Sequence, residues 1–218
     1  MSKRFELLVF DWDGTLMDSA AVIVASLQAA CRDLHFPVPS EEQARYIIGL
    51  GLTDALGHIL PGVDRSQYPP VAERYRHHFL KLDGGTTLFP GAAEMITGLH
   101  HAGSRLAVAT GKSRRGLARA LSATGLAPYF HASRCADEGH SKPHPGMLQA
   151  LMDELGTSSD KTLMIGDTTH DLEMARAAGV ASLGVAYGAH PRDALLAWEP
   201  LACVTSVGEL EKWLATHG

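Results

Sequence analysis

The chain has 218 residues, 45% apolar and 20% charged, a composition that excludes a disordered chain and allows one large domain plus an insert. A formal charge of −5 argues against nucleic acid or an anionic membrane as the main partner. Cys31, Cys135 and Cys203 are odd in number, widely spaced and in no C-x-x-C pair, so they read as reduced thiols of a cytoplasmic protein.

The first predicted element is the apolar run Phe5 to Phe10, which stops at Asp11 and is too short for a signal peptide or a membrane span. It leads into Asp11-Trp12-Asp13-Gly14-Thr15-Leu16. Residues two apart in extended chain face the same side, so Asp11 and Asp13 can share one pocket. Two such carboxylates repel unless a cation or a proton separates them, and Mg²⁺ on Asp11 with a proton on Asp13 would satisfy both. That arrangement divides labour between a nucleophile and a general acid/base. An acidic turn at a strand end would give the same local pattern.

From Ser19 to about Leu82 only helical patterns follow, beginning with Ile23, Leu27, Ala30 and Leu34 on one face and punctuated by Pro37, Pro39, Pro61-Gly62 and Pro69-Pro70. The alternation then resumes. Arg105 to Thr110 reads as a second strand, with Ser113 as the N-cap of the helix carrying Leu117, Ala120 and Leu121. Leu148, Leu151, Met152 and Leu155 make a helical stripe. Thr162 to Ile165, Ala181 to Val185 and Cys203 to Thr205 read as strands, and Val207, Leu210 and Leu214 as a terminal helix. Apolar strands alternating with helices predict an α/β fold: a doubly wound, Rossmann-like parallel sheet interrupted by a small all-helical insert.

Ligands of such sheets bind beyond the carboxyl ends of the strands. Gly166-Asp167-Thr168-Thr169-His170-Asp171 sits at one such end, with Asp167 and Asp171 spaced i, i+4 as if on one face of a helix start; helix capping alone would also place acids there. Oxygen ligands of this kind suit Mg²⁺. Thr110 offers a hydroxyl beside the Gly111 and Lys112 backbone, and Lys142 stands in a loop stiffened by Pro143 and Pro145, aimed to neutralise a phosphoryl oxygen. Each has a plainer reading, as a strand-end Thr and a solvated Lys. Gly111-Lys112-Ser113 is not a phosphate-binding P-loop, because position 106, where its first glycine belongs, is Leu. The twelve histidines show no metal-ligand spacing and are expected mostly at the surface.

Asp11-x-Asp13-Gly14-Thr15, Thr110, Lys142-Pro143 and Gly166-Asp167-Thr168-x-x-Asp171 together resemble, in order, the four motifs of the haloacid dehalogenase superfamily. The helical insert resembles the cap of its phosphoglycolate phosphatase-like branch, and Ile48-Gly49-Leu50-Gly51 that branch's cap specificity loop. The resemblance implies a core of residues 1–17 and 88–218 with a cap of 18–87. It implies a phosphatase in which Asp11 becomes an aspartyl phosphate and Asp13 protonates the leaving alcohol, then activates water. Thr110 and Lys142 would bind the phosphoryl group, with backbone N–H groups at Trp12 and Gly111. Mg²⁺ would be held by Asp11, the Asp13 carbonyl and Asp167, with Asp171 ordering its waters. Trp12 stands where an aliphatic residue is commoner and is expected to alter the pocket wall; Gly111-Lys112 stands where Asn is frequent after the Thr. Because an acid is kept at position 13, phosphoryl transfer from a small phosphorylated metabolite is favoured, with phosphoglycolate the leading candidate. A phosphosugar mutase and a catalytically silent phospho-ligand binding protein are the alternatives. Arg45, His58, Arg65, Arg74, Arg76 and Lys81 of the insert are candidates to touch a leaving group. The oligomeric state is not legible.

Overall fold

In the structure, a computed structural model describing residues 4–217, the apolar runs become one six-stranded parallel sheet in the order β3-β2-β1-β4-β5-β6. The strands are β1 (Leu7–Phe10), β2 (Arg105–Thr110), β3 (Ala132–Cys135), β4 (Thr162–Gly166), β5 (Ala181–Val185) and β6 (Cys203–Val204). The sequence reading has no counterpart for β3. Its residues Ala-Ser-Arg are only half buried at a sheet edge and lack the apolar run that marks the other strands.

Side chains alternate across the sheet as a two-residue period requires. Leu8, Phe10, Leu106, Val108, Leu163 and Ile165 point to one face. There they meet α5 (Ala92–His101), α6 (Arg114–Thr124) and α10 (Val207–His217). Leu7, Val9, Ala107, Ala109 and Met164 point to the other, against α7 (Gly146–Leu155) and α8 (Thr169–Ala177). Both faces are covered, which is why these strands are apolar throughout. Ser113 caps α6 by accepting from the Gly116 N–H, as its position suggests.

The segment after β1 folds as α1 (Ala20–Asp33), α2 (Glu41–Tyr46), α3 (Leu52–Ile59) and α4 (Tyr68–Leu82). It owns a separate core, in which Ile23, Leu27 and Ala30 of α1 pack with Val71 and Phe79 of α4, Ala44 of α2 and Leu56 of α3. At roughly 1.5–3 kcal/mol for each large apolar side chain removed from water, this core can hold the four helices together. Among the described residues outside this segment, only Ala189 joins it as a buried member. Positions 1–3 and 218, which the division into 1–17, 18–87 and 88–218 includes, lie outside the described residues. Among the described residues no helix is long and apolar enough to cross a membrane.

Candidate active site

The strand order reverses between β1 and β4, the place where a sheet of this kind opens a crevice. Both strands end there in an acid. The Asp11 N–H continues the ladder by donating to the Ile165 carbonyl at 2.9 Å, so Asp11 leaves β1 beside Asp167 at the end of β4. Carboxylate oxygens of Asp11, Asp167 and Asp171 lie within 4.8 Å of one another, all three residues buried.

Each acid is held by its own donors. Thr15 Oγ1 donates to Asp167 Oδ1 at 2.8 Å, and the Ala189 N–H to Oδ2 at 2.7 Å. Asp171 Oδ2 accepts from the Thr168 hydroxyl at 2.7 Å and the Thr168 N–H at 3.1 Å, closing a capping box at the start of α8. Asp171 therefore caps the helix and faces the site at once. Asp167 lies before the N-cap, outside α8, so the two acids converge from a strand end and a helix start rather than from one helical face as their spacing suggested.

Three glycines make the crowding possible. A Cβ on Gly14 would sit 2.1 Å from Asp167 Oδ2, one on Gly188 2.3 Å from the Asp167 Cβ, and one on Gly166 2.3 Å from the Asp171 Cγ. Gly14 is also at φ +84°, a conformation that side chains disfavour.

Lys142 is the cation of this floor, and it is 1% exposed rather than solvated. Its Nζ lies 2.8 Å from Asp11 Oδ1 and 2.6 Å from Asp171 Oδ1. Both are ion pairs by distance without the alignment of hydrogen bonds, and Asp11 Oδ2 has no donor among the described residues. Burial pushes the Asp11 carboxyl up to about 7 although Lys142 opposes the shift. Burial, with Asp11 and Asp171 as neighbours, also holds Asp167 well above the carboxylate range. With all three carboxylates ionised against one ammonium, two negative charges would stay buried, the charge that one divalent cation would neutralise. An oxygen-only donor set and an unpartnered Asp11 oxygen fit Mg²⁺.

Asp13 stands apart from this trio. Its Oδ1 accepts from Ser19 Oγ at 2.6 Å, and its Oδ2 pairs with Lys112 Nζ at 2.9 Å. Lys112 thus places a cation beside Asp13. In the sequence Lys112 stands out as backbone beside Thr110, in the rejected P-loop and in the departure from the Thr-Asn pattern, never as a cation of the site. A cation two residues after a strand-ending Thr, beside the strand that ends in Asp-x-Asp, was the signal. Thr110, 1% exposed, accepts from the Lys112 N–H at 3.2 Å and lines the cavity with Asp11, Asp13 and Gly111.

Trp12 does not line it. Its side chain is fully buried in the core, edge-on to Phe130 with centroids 6.3 Å apart, so the expected change in the pocket wall does not occur. The alternation that turns Asp11 and Asp13 to the pocket turns Trp12 away from it.

Over this floor the insert encloses a cavity of about 790 Å³. Its loop between α2 and α3 touches three strand ends. A Cβ on Gly111 would lie 2.5 Å from the Gly49 and Leu50 carbonyl oxygens; one on Gly49 would meet Thr168 Oγ1 at 3.1 Å, and one on Gly51 the Ser141 Cβ at 3.1 Å. Ser141 Oγ donates to Asp54 Oδ2 at 2.5 Å. Beside them the Tyr46 carbonyl accepts from His170 Nε2 at 2.7 Å and His190 Nε2 at 3.0 Å. The Thr169 N–H donates to His190 Nδ1 at 3.0 Å, which leaves the proton on Nε2. Both histidines are 4% exposed, exceptions among histidines that lie mostly at the surface as expected, and burial lowers His170 to about 4 and His190 below its usual value. Of the six cationic candidates in the insert, only Arg76 lines the cavity; Arg45 pairs with Glu41 and Arg74 with Asp33. Ile48 to Gly51 line it as well, and so do Tyr75 and Phe79, which were not singled out in the sequence.

Residues 8–185 match the family of haloacid dehalogenase-like hydrolases. A curated relative, "Probable phosphatase IndB" of Dickeya dadantii, is 40% identical over 94% of this chain and 91% of its own. A phosphoglycolate phosphatase of Salmonella paratyphi A is 30% identical over 93% and 90%. Among solved structures, a "predicted phosphatase" from Clostridium acetobutylicum superimposes with a TM-score of 0.87 at 27% identity, covering 99% of this chain and 100% of that one.

Proposed function

Because the chain belongs to the haloacid dehalogenase-like hydrolases, we propose that it is a Mg²⁺-dependent phosphatase of small-metabolite phosphomonoesters, working through an aspartyl phosphate on Asp11. The observation that carries this reading is the buried Asp11 carboxylate, one oxygen beside Lys142 and the other without a donor. Such an oxygen is available as a nucleophile.

In the first half of the reaction Asp11 attacks phosphorus and the bond to the leaving oxygen breaks, while Asp13 gives that oxygen a proton. In the second, a water attacks the phosphoryl group, Asp13 takes its proton, and phosphate leaves with Asp11 restored. Lys142, the Thr110 hydroxyl and the backbone N–H groups at Trp12 and Gly111 hold the phosphoryl oxygens. Asp11, Asp167 and the Asp13 carbonyl would hold Mg²⁺, with Asp171 beside them. When bound, the ion supplies charge neutralisation between nucleophile and phosphate. Residues 18–87 act as the cap and the remainder as the catalytic core. The likeness to phosphoglycolate phosphatases makes phosphoglycolate the leading substrate, and the free cysteines suit a cytoplasmic site of action.

The test is phosphate release from a panel of phosphomonoesters with Mg²⁺, wild type beside Asp11→Asn. Removing the nucleophile should lower kcat by at least about 10³-fold with the fold intact. Retained turnover in Asp11→Asn refutes the nucleophile assignment, and the preferred ester identifies the substrate class.

A further inference from the structure

The proposed reaction has no role for Lys112, yet this side chain lies between the acid/base and the cap. Its backbone is tied at both ends: the N–H donates to Thr110 Oγ1 at 3.2 Å, and the carbonyl accepts from the Ala136 N–H at 3.0 Å. From that anchor Nζ reaches Asp13 Oδ2 at 2.9 Å, both side chains nearly buried. Above it lies the ring of Phe79, on α4 of the cap, with its centroid 4.9 Å from Nζ. The other Asp13 oxygen is fixed by Ser19, the residue before the first cap helix. A carboxylate held at both oxygens by donors on two sides has one orientation.

A fixed orientation of this carboxylate matters most at one moment of the cycle. Once Asp13 has given its proton to the leaving alcohol, it is a carboxylate and must next act on water. We propose that Lys112 is a positioning residue for this second half-reaction. It holds Asp13 as the oriented carboxylate that takes the proton of the attacking water, and Phe79 keeps Lys112 in place when the cap is closed. In the step concerned, a water oxygen bonds to phosphorus as one of its protons passes to Asp13. The phosphorus–oxygen bond to Asp11 breaks, its electron pair returns to the Asp11 carboxylate, and inorganic phosphate departs. The inference rests on the proposed role of Asp13.

The experiment uses 4-nitrophenyl phosphate with Mg²⁺, because its leaving group departs without a proton and isolates the second half. Wild type, Lys112→Met, Lys112→Arg, Phe79→Leu and Asp13→Asn are compared by steady-state kinetics, and by acid quench during turnover to count phosphorylated enzyme by mass. Lys112→Met should lower kcat by about 10²-fold, the lower end of what a positioned base contributes. KM should fall in parallel, leaving kcat/KM within about three-fold, with most enzyme trapped as the aspartyl phosphate. Lys112→Arg, which keeps the charge, should recover most of kcat. Phe79→Leu should show the same pattern at about a tenth of the effect, since it removes the cation's cover and not the cation.

Two results overturn the proposal: kcat of Lys112→Met within about two-fold of wild type, or kcat and kcat/KM falling together with no gain in phosphoenzyme. Asp13→Asn separates this from the underlying reading. If it accumulates phosphoenzyme and Lys112→Met does not, only the role of Lys112 falls. If Asp13→Asn turns over like wild type, the role of Asp13 itself falls.

Discussion

The floor and the roof of the cavity are built on opposite plans. The floor is Asp11, which lines the cavity, with Asp167, Asp171 and Lys142 packed behind it, none more than 1% exposed, set against glycines whose missing Cβ atoms leave no room for adjustment. The roof is α4 and the loop between α2 and α3, where Glu73, Arg76, His77 and Leu80 line the cavity yet stay exposed. Buried charges demand fixed partners, because an unpaired one in a dry pocket is several kcal/mol out of balance. Exposed charges on a helix face carry no such demand. On the proposed mechanism, the floor serves an invariant phosphoryl group and its cation, and the roof whatever alcohol is attached to it.

Lys142→Met breaks the floor and should have the largest effect. It removes the one cation facing Asp11 and Asp171, at a cost of about 3–5 kcal/mol in stability. Turnover should fall by roughly 10³-fold, as for loss of a group that both binds and neutralises the transferring phosphoryl. Urea melts with and without Mg²⁺ sharpen the point: the ion should return part of the stability and little of the activity. A variant as stable as wild type without metal would mean that the floor's charges are balanced by protons rather than by Lys142.

Gly111→Ala tests the roof with the floor untouched. The backbone there is open to any residue, but a Cβ would meet the Gly49 and Leu50 carbonyl oxygens at 2.5 Å. The methyl group should hold the cap loop off the strand ends by a fraction of an ångström to an ångström. A displacement of that size near the reacting groups costs up to about 10²-fold in kcat/KM. Thermal stability should fall by about 1–3 kcal/mol, the usual cost of forcing an extra carbon against packed neighbours. An unchanged kcat/KM would show that the seated loop is not needed for turnover.

The same contrast governs what the sequence made legible. Asp11, Asp13, Thr110 and Asp167 announce themselves because each closes or closely follows an apolar strand, where such sheets place ligands, and Asp171 by its spacing from Asp167. Lys142 was readable only as a lysine between prolines; that it is buried depends on Asp11, 131 positions earlier in the chain, and Asp171. Lys112 was hidden by register. Phe10 pairs with Val108, which brings Asp13 alongside Gly111 once both strands run on, and nothing in the order of residues states that pairing. The clasp of Tyr46 by His170 and His190 spans 124 and 144 residues, so three ordinary surface-type residues gave no sign of it. β3 escaped because an edge strand half open to solvent has no apolar run to show.

The smallest effect separates floor from clasp by the sign of their pH dependence. Without metal, Asp11 is raised to about 7 and Asp167 well above its usual range, so the folded chain binds protons that the unfolded chain releases. These groups lower stability as pH rises from about 4 through 7. His170, lowered to about 4, and His190, also lowered, do the opposite. The unfolded chain takes up their protons first, so their contribution is complete above pH 6.5 and fades as pH falls toward 4. Below pH 6.5 the two slopes oppose each other; above it only the carboxyls remain, and stability in a chelator should decline toward pH 8. Mg²⁺ binds the ionised acids, so at about ten times its Kd it should add about 1.4 kcal/mol at pH 8, a few degrees in Tm, and far less at pH 5.5. His170→Gln should remove part of the acid-side slope and leave the Mg²⁺ response at pH 8 unchanged. An equal Mg²⁺ shift at both pH values would mean that the floor acids are already ionised without the ion, and that Lys142 and the surrounding hydrogen bonds alone suffice to hold three carboxylates together.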